Sequence, residues 1–443
     1  MASESRPAWP ERPLEDCMEA IIDYRGKTPE KRPAGIPLIT ARIVKNGRIG
    51  TPEEFIAPGD YDAWMRRGLP RAGDVVMTTE APLGEVAQLD GSKVALAQRI
   101  ITLRGKPDVL DNTYLRYALQ SAHVREQLRA RASGTTVLGI KQSELRQVRL
   151  LLPTLREQRA IAHVLGTLDE MIDVNRTMNQ TLQAMIGALF KSWFVDFDPA
   201  RIHAEDRSLN LSSAVAEAAK LFPGEFHDSE VGAIPKGWHI SRVDELAELN
   251  ALSLSRADVL EAIDYIEISE VSLGDIGAIQ HFARGREPSR ARRRLRHGDT
   301  ALSTVRPDRG SYFLCLNPSP SLIASTGFVV LSPRDSWWSF LHAALTRDDV
   351  FQYLGQHADG GAYPAVRPEI IGAMVLPVPC DRRLLDLFHR LCGPLYLRAA
   401  ANRDQNVTLT EVREALLPRL LSGERAVAPT DSKPLETTRR RTN

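Results

Sequence analysis

The 443-residue sequence is short of cysteine, of lysine and of long apolar runs, and each shortage excludes something. Four cysteines, Cys17, Cys315, Cys380 and Cys392, stand far apart without a Cys-x-x-Cys pair. This argues against a structural zinc site or a disulfide framework and for free, mostly buried thiols in a reducing compartment. No segment approaches ~18 consecutive apolar residues, so no membrane-spanning helix is expected. The stretch from Met1 to Asp16 is polar and lacks the apolar core of a signal peptide, which makes a cytoplasmic location the default. Only ten of the 57 basic residues are lysines, leaving 47 arginines. Codon bias in a GC-rich genome produces such a ratio, yet arginine is also the side chain suited to bidentate contacts with phosphate and guanine. With a net charge of +1, composition leaves the partner open.

Catalytic signatures are also missing. Gly26-Lys27-Thr28 lacks the earlier glycine of a phosphate-binding loop, since that position is Ile21. An adenine methyltransferase needs a glycine-rich cofactor loop and an Asn/Asp-Pro-Pro-aromatic site, and Asn317-Pro-Ser-Pro320 falls short of the latter. The one acidic-x-Lys pair suited to nuclease chemistry, Asp431-Ser-Lys433, lies in a polar tail without rigid geometry. The ten histidines form no metal-ligand spacing, and His163 reads as a solvated flank residue of a helix. No catalytic centre, metal or cofactor of its own is expected for this chain.

What the sequence does have is the length for about three domains, an ordinary globular composition, and a repeat. Arg71-Ala-Gly-Asp-Val-Val-Met-Thr-Thr-Glu80 aligns with Arg296-His-Gly-Asp-Thr-Ala-Leu-Ser-Thr-Val305. Gly134-Thr-Thr-Val-Leu-Gly-Ile-Lys141 aligns with Gly360-Gly-Ala-Tyr-Pro-Ala-Val-Arg367. The offset drifts only from 225 to 229 residues between the entry tryptophans (Trp9, Trp238) and the final helices (Leu189, Leu416), which marks a tandem duplication. Within each copy, Val75–Thr79, Arg99–Leu103, Val148–Leu152, Phe328–Leu331 and Met374–Pro377 read as strands. Tyr114–Ala132 and Ser339–Gln356 read as amphipathic helices. Strands and helices without regular alternation predict an α+β fold: two tandemly repeated mixed α/β domains separated by two long helices.

The long helices carry the clearest periodicity. Ile161, Leu165, Leu168, Ile172, Asn175, Asn179, Leu182, Ile186, Leu189 and Trp193 follow an unbroken 4-3 spacing. The second copy repeats it as Phe388, Cys392, Leu395, Ala399, Asn402, Asn406, Leu409, Arg413, Leu416 and Leu420, with Gly393-Pro394 expected to break or kink its start. Each seam keeps two asparagines, which cost stability unless an amide partner is found but can fix register. An antiparallel coiled coil with pseudo-twofold symmetry is the expectation, and a helix folded back on its own domain is the alternative. Ser212–Leu221 reads as a short linker helix, and the arginine-ended stretch to Asn443 as a disordered tail.

Polar and basic loops recur at matching places. In the first copy they hold Arg25, Lys27, Thr28, Lys45, Asn46, Arg48, Thr78, Thr79, Thr135, Thr136 and Lys141. In the second they hold Arg284, Arg286, Arg290, Arg292, Arg293, Arg294, Arg296, Ser303, Thr304, Arg306, Arg309 and Arg367. From 284 to 309, nine arginines face three acids. Such a stripe beside hydroxyl-rich loops suits contacts to phosphates and base edges, and it equally describes a solvated charged face.

These residues resemble a known family. Ile22-Asp-Tyr-Arg-Gly-Lys-Thr-Pro29, Gly35-Ile-Pro-Leu-Ile-Thr-Ala41 and Gly73-Asp-Val-Val-Met-Thr-Thr-Glu-Ala-Pro-Leu-Gly84 look like the first target-recognition domain of type I restriction–modification specificity subunits. Glu157-Gln158, Leu168-Asp169 and Leu189-Phe-Lys-Ser-Trp-Phe-Val-Asp-Phe197 resemble that family's central conserved region, and Ser229–Trp238 its entry to a second recognition domain. The second copy departs at Ser303-Thr-Val-Arg-Pro307, where residue-level transfer is in doubt, and its helical region lacks the Glu-Gln entry. The resemblance implies recognition domains over 1–154 and 237–380, helical regions over 155–197 and 381–423, a linker over 198–236 and a tail over 424–443. It further implies a non-catalytic subunit that binds a bipartite double-stranded DNA target, one half-site per domain with the gap set by the helices. Two modification subunits would supply S-adenosylmethionine chemistry, restriction subunits would supply ATP- and Mg2+-dependent translocation and cleavage, and the setting would be a bacterial or archaeal cytoplasm. A scaffold that touches no DNA, and a self-contained DNA-modifying enzyme, are the rival readings.

Overall fold

The computed structural model describes residues 9–26, 28–135, 137–204, 220–255, 257–361 and 363–427. Lys27, Thr136, nearly all of the expected linker helix (212–221), Asp431, Lys433 and the arginine-ended tail lie outside the described residues. The chain divides into two compact units, one of residues 1–173 and 407–443, the other of residues 174–406.

The first unit is built on a four-stranded antiparallel sheet in the order Met18–Asp23, Ile100–Gly105, Val75–Thr78, Val86–Gln88. The central strands are β-branched and fully buried, because the sheet is covered on both faces by separate apolar clusters. A smaller sheet pairs Ile36–Ile39 antiparallel with Phe55–Ile56 and parallel with Ala95–Leu96. The second unit repeats the plan. Its sheet runs Ala247–Leu249, Phe328–Pro333, Thr300–Ser303, Tyr312–Leu314, and its second sheet again contains a parallel pair, Ala262–Ile266 with Leu322–Ser325. Equivalent strands occupy equivalent places, so the repeat in the sequence is a repeat of fold.

Two helices expected to be continuous are each broken. Tyr114–Ala132 is Asn112–Ala118 followed by Ala122–Arg131, and Ser339–Gln356 is Trp338–Leu345 followed by Asp348–Gln356. Ser121 ends one helix by donating its hydroxyl to the Ala118 carbonyl and starts the next by accepting from the Val124 amide. The apolar spacing runs through the break, so periodicity alone does not reveal it. The opposite correction applies at Gly393-Pro394. The helix Arg382–Leu421 is unbroken there, since Phe388, Cys392, Tyr396 and Ala399 are all buried and their packing offsets the donor that proline removes.

The first long helix, Leu155–Phe194, has the same length of 40 residues. In the second unit, segments of the two run antiparallel and their seam asparagines find amide partners. Asn402 Nδ2 donates to Asn179 Oδ1 at 2.8 Å, Asn179 Nδ2 to the Ala399 carbonyl at 3.0 Å, and Asn175 Nδ2 to Asn406 Oδ1 at 3.0 Å. Below them Phe190, Trp193 and Phe194 pack edge-on and tilted against Phe340, Phe388 and Trp238. In the first unit Ile161, Ala162 and Leu165 share a core with Leu420 and Leu421, and the charged seam position Arg413 is matched by Asp169.

Candidate nucleic-acid interface

One loop design occurs in both heads. In the first, Ser133 and Gly139 exchange backbone hydrogen bonds at 2.8 and 2.9 Å, and the Ile140 amide donates to the Thr79 carbonyl at 3.0 Å. In the second, Asp359 and Ala365 exchange bonds at 2.9 and 2.8 Å, and the Val366 amide donates to the Thr304 carbonyl at 2.9 Å. Each loop is thus closed at its neck and fastened to the end of the strand after the Gly-Asp turn. The chain then enters a short helix whose N-cap is a cation, Lys141 or Arg367, exposed in both cases.

Around the first loop gather Arg25, whose Nη2 donates to the Ile140 carbonyl at 2.7 Å, and the exposed Thr135. Thr28 and Lys45 are exposed. Asn46 and Gly47 form the tight turn between Val44–Lys45 and Arg48–Ile49, both with positive φ (52° and 80°) as that turn requires. The Asn46 amide donates to Glu85 Oε2 at 2.8 Å, which ties this hairpin to the turn after Val75–Thr78.

Several candidates are corrected. Thr78 and Thr79 are buried, and the Thr78 hydroxyl accepts from the Glu85 amide. Ser303 is buried as well and donates to the Val305 carbonyl, while the Thr304 hydroxyl donates to the Gly327 carbonyl. The hydroxyls of Thr78, Ser303 and Thr304 are thus engaged within the protein. Arg48 is committed to Asp173 on the long helix at 2.7 Å.

The arginine stripe is only half available. Arg284 pairs with Glu287, Arg292 approaches the same carboxylate at 4.0 Å, Arg294 pairs with Asp258 at 2.6 Å and Arg296 with Glu248 at 3.6 Å. Arg293 donates to the Phe328 carbonyl, and burial holds its guanidinium below the ordinary value. Arg286, Arg290 and Arg309 are exposed and form no ion pair among the described residues. Arg306 lies 4.7 Å from the centre of the Tyr363 ring. Residues that sequence reasoning passed over complete the picture. Exposed Arg125 and Arg129 line a groove beside Val137 and Leu138 at the first loop, and their i, i+4 spacing was the signal that could have found them. No cluster of His, Cys, Asp or Glu fit for a metal occurs among the described residues, and no described helix is long and apolar enough to cross a membrane.

A doubled α+β chain with matching cation-bordered loops has the build of a two-headed recognition protein. Residues 8–184 match the family model described as "Type I restriction modification DNA specificity domain". The chain is 23% identical over 445 residues to the type I restriction enzyme MjaIX specificity subunit of Methanocaldococcus jannaschii, covering 94% of this chain and 93% of that one. It is 24% identical over 323 residues to the HindI specificity subunit of Haemophilus influenzae, covering 62% and 68%. A solved structure of the type I restriction–modification S subunit from M. genitalium aligns over 95% of this chain and 98% of its own, with a TM-score of 0.57 at 16% identity. The chain thus resembles type I restriction–modification specificity subunits over nearly its whole length, and residues 8–184 carry the match to their DNA specificity domain.

Proposed function

We propose that this chain is the DNA-specificity subunit of a type I restriction–modification complex, acting in a bacterial or archaeal cytoplasm. The head over 1–154 and the head over 237–380 each read one half of a bipartite duplex target. The helical regions over 155–197 and 381–423, paired as an antiparallel coiled coil with pseudo-twofold symmetry, set the gap between half-sites and dock two modification subunits. Restriction subunits complete the assembly. The chain itself performs no catalysis; S-adenosylmethionine, ATP and Mg2+ belong to the partners. The observation that carries this reading is the recurrence, at equivalent positions in both heads, of a neck-closed loop beside an exposed cation. Phosphate contacts from Arg25, Lys141, Arg286, Arg290, Arg309 and Arg367 would position the heads, and base-edge contacts would specify the sequence.

Exchanging residues 237–380 for the second head of another family member, then mapping methylation in a host carrying the full system, tests it. One half-site is expected to change and the other to persist; a change in both halves would defeat the assignment of one half-site per head. Four residues added to each long helix lengthen it by ~6 Å, equivalent to about two base pairs at ~3.4 Å each. The mapped gap is expected to widen by that amount, and an unchanged gap would show that the helices are no ruler.

A further inference from the structure

The tips of the two neck-closed loops are apolar where a loop ought to be polar. Val137 and Leu138 are 52% and 49% exposed, and Tyr363, which stands where Val137 stands in the repeat, is 72% exposed. A single exposed apolar residue on a surface is unremarkable. Here the same position carries one in both heads although the surrounding loop residues have diverged. The backbone that presents them is specified too. Gly134 and Gly360 have φ of 116° and 110°, and a Cβ on Gly134 would lie 2.1 Å from the Val137 carbonyl oxygen, so no other residue fits there. The ring of Tyr363 is supported from one side by the Arg306 guanidinium, which leaves the opposite face to solvent. Cations border each tip: Lys141, Arg125 and Arg129 in the first head, Arg306 and Arg367 in the second.

We propose that these tips are wedges, Val137-Leu138 in one head and Tyr363 in the other, that enter a base step of the duplex and partly unstack it. The inference rests on the DNA-specificity reading and deepens it. An apolar side chain raised on a fixed loop and ringed by cations has the chemistry of a group pressed between stacked bases while its neighbours hold the phosphates. Each half-site would then be chosen partly by how readily one of its steps opens, so that a position without any base-edge hydrogen bond still contributes to specificity.

The test uses the full chain assembled with its modification subunits, on a duplex carrying the target mapped by methylome sequencing. 2-Aminopurine replaces, one at a time, adenines other than the methylated one. Binding is expected to raise fluorescence at one step in each half-site. Tyr363→Ala should abolish the rise in one half-site only and weaken target binding on the order of tenfold to a hundredfold, the range for losing one aromatic–base stack. Tyr363→Phe should retain both. Val137→Ser with Leu138→Ser should silence the other half-site. Thermal melting of each variant should match the parent, because the tips are exposed. Unchanged affinity and fluorescence in Tyr363→Ala would overturn the wedge and leave the DNA reading standing. Weakened assembly with unchanged DNA affinity of the assembled complex would make the tip a protein contact and overturn it too. Failure of the unaltered complex to bind any duplex would instead defeat the underlying reading.

Discussion

Asp74→Asn should destabilise the first unit by about 3–5 kcal/mol, whereas Asp299→Asn should leave the second unit as stable or more so at neutral pH. The two aspartates occupy the same place in the repeated Gly-Asp turn, and each accepts a backbone N–H from three residues upstream, from Arg71 or Arg296, at 2.8 and 2.7 Å. Their surroundings differ. Asp74 is wholly buried and holds Arg104 bidentately, Nε to Oδ1 at 2.8 Å and Nη2 to Oδ2 at 2.7 Å. Removing its charge strands a buried guanidinium, whose pKa the Asp74 hydrogen bond otherwise raises. On the strand that pairs beside Asp299, the place of Arg104 is taken by Ser332. Asp299 Oδ1 has no hydrogen-bond partner among the described residues, and burial raises its carboxyl pKa above the ordinary value. A carboxyl raised on folding favours the native state only while it is protonated. That contribution is present at low pH and lost as pH climbs from the usual carboxylate range through the raised value. Asp299→Asn should therefore gain on the parent as pH rises through that window. Hydrogen exchange of Val75–Thr78 and Thr300–Ser303 in each variant reads the two units separately. Equal losses in both would refute the contrast.

Asp169→Ala should cost a similar ~3–5 kcal/mol, again in the first unit. Asp169 is buried on the long helix between three donors: Arg116, with which it forms an ion pair, the Tyr117 hydroxyl at 2.7 Å, and Arg413 at 2.8 Å. Its loss leaves two guanidinium groups facing each other in a low-dielectric seam, with the buried Tyr117 hydroxyl deprived of its acceptor. Adding Arg413→Ala should recover part of the loss, since one of the stranded charges goes with it. Urea unfolding of the single and double variants checks this, and an additive double variant would mean the two side chains act independently.

Much of this architecture is legible in the sequence because it is periodic or repeated. The Gly-Asp turns, the central strands and the asparagine-bearing helices are written twice, and a match at constant offset is stronger than any single propensity. The candidate binding face is less legible. The stripe from Arg284 to Arg309 is undercompensated when acids are counted along the chain, yet Asp258 and Glu248, which neutralise Arg294 and Arg296, come from earlier strands and turns. Thr78 and Ser303 look like surface hydroxyls in a polar motif, but a residue at the end of a doubly covered strand is buried whatever its polarity. Val137, Leu138 and Tyr363 are illegible for the opposite reason: an apolar residue in a loop ordinarily points inward, and here a closed neck turns it out.

The core of the first unit contains Leu420 and Leu421, with Leu416 and Leu417 packed against it, alongside Leu14, Leu150 and Leu165. Its final piece thus comes from a helix encoded far downstream of the rest. Synthesis proceeds from the other end, so the head made first must wait, one apolar flank uncovered, until some 250 further residues have been translated. The unit of residues 174–406 is continuous in sequence, so its own parts are translated without such a wait.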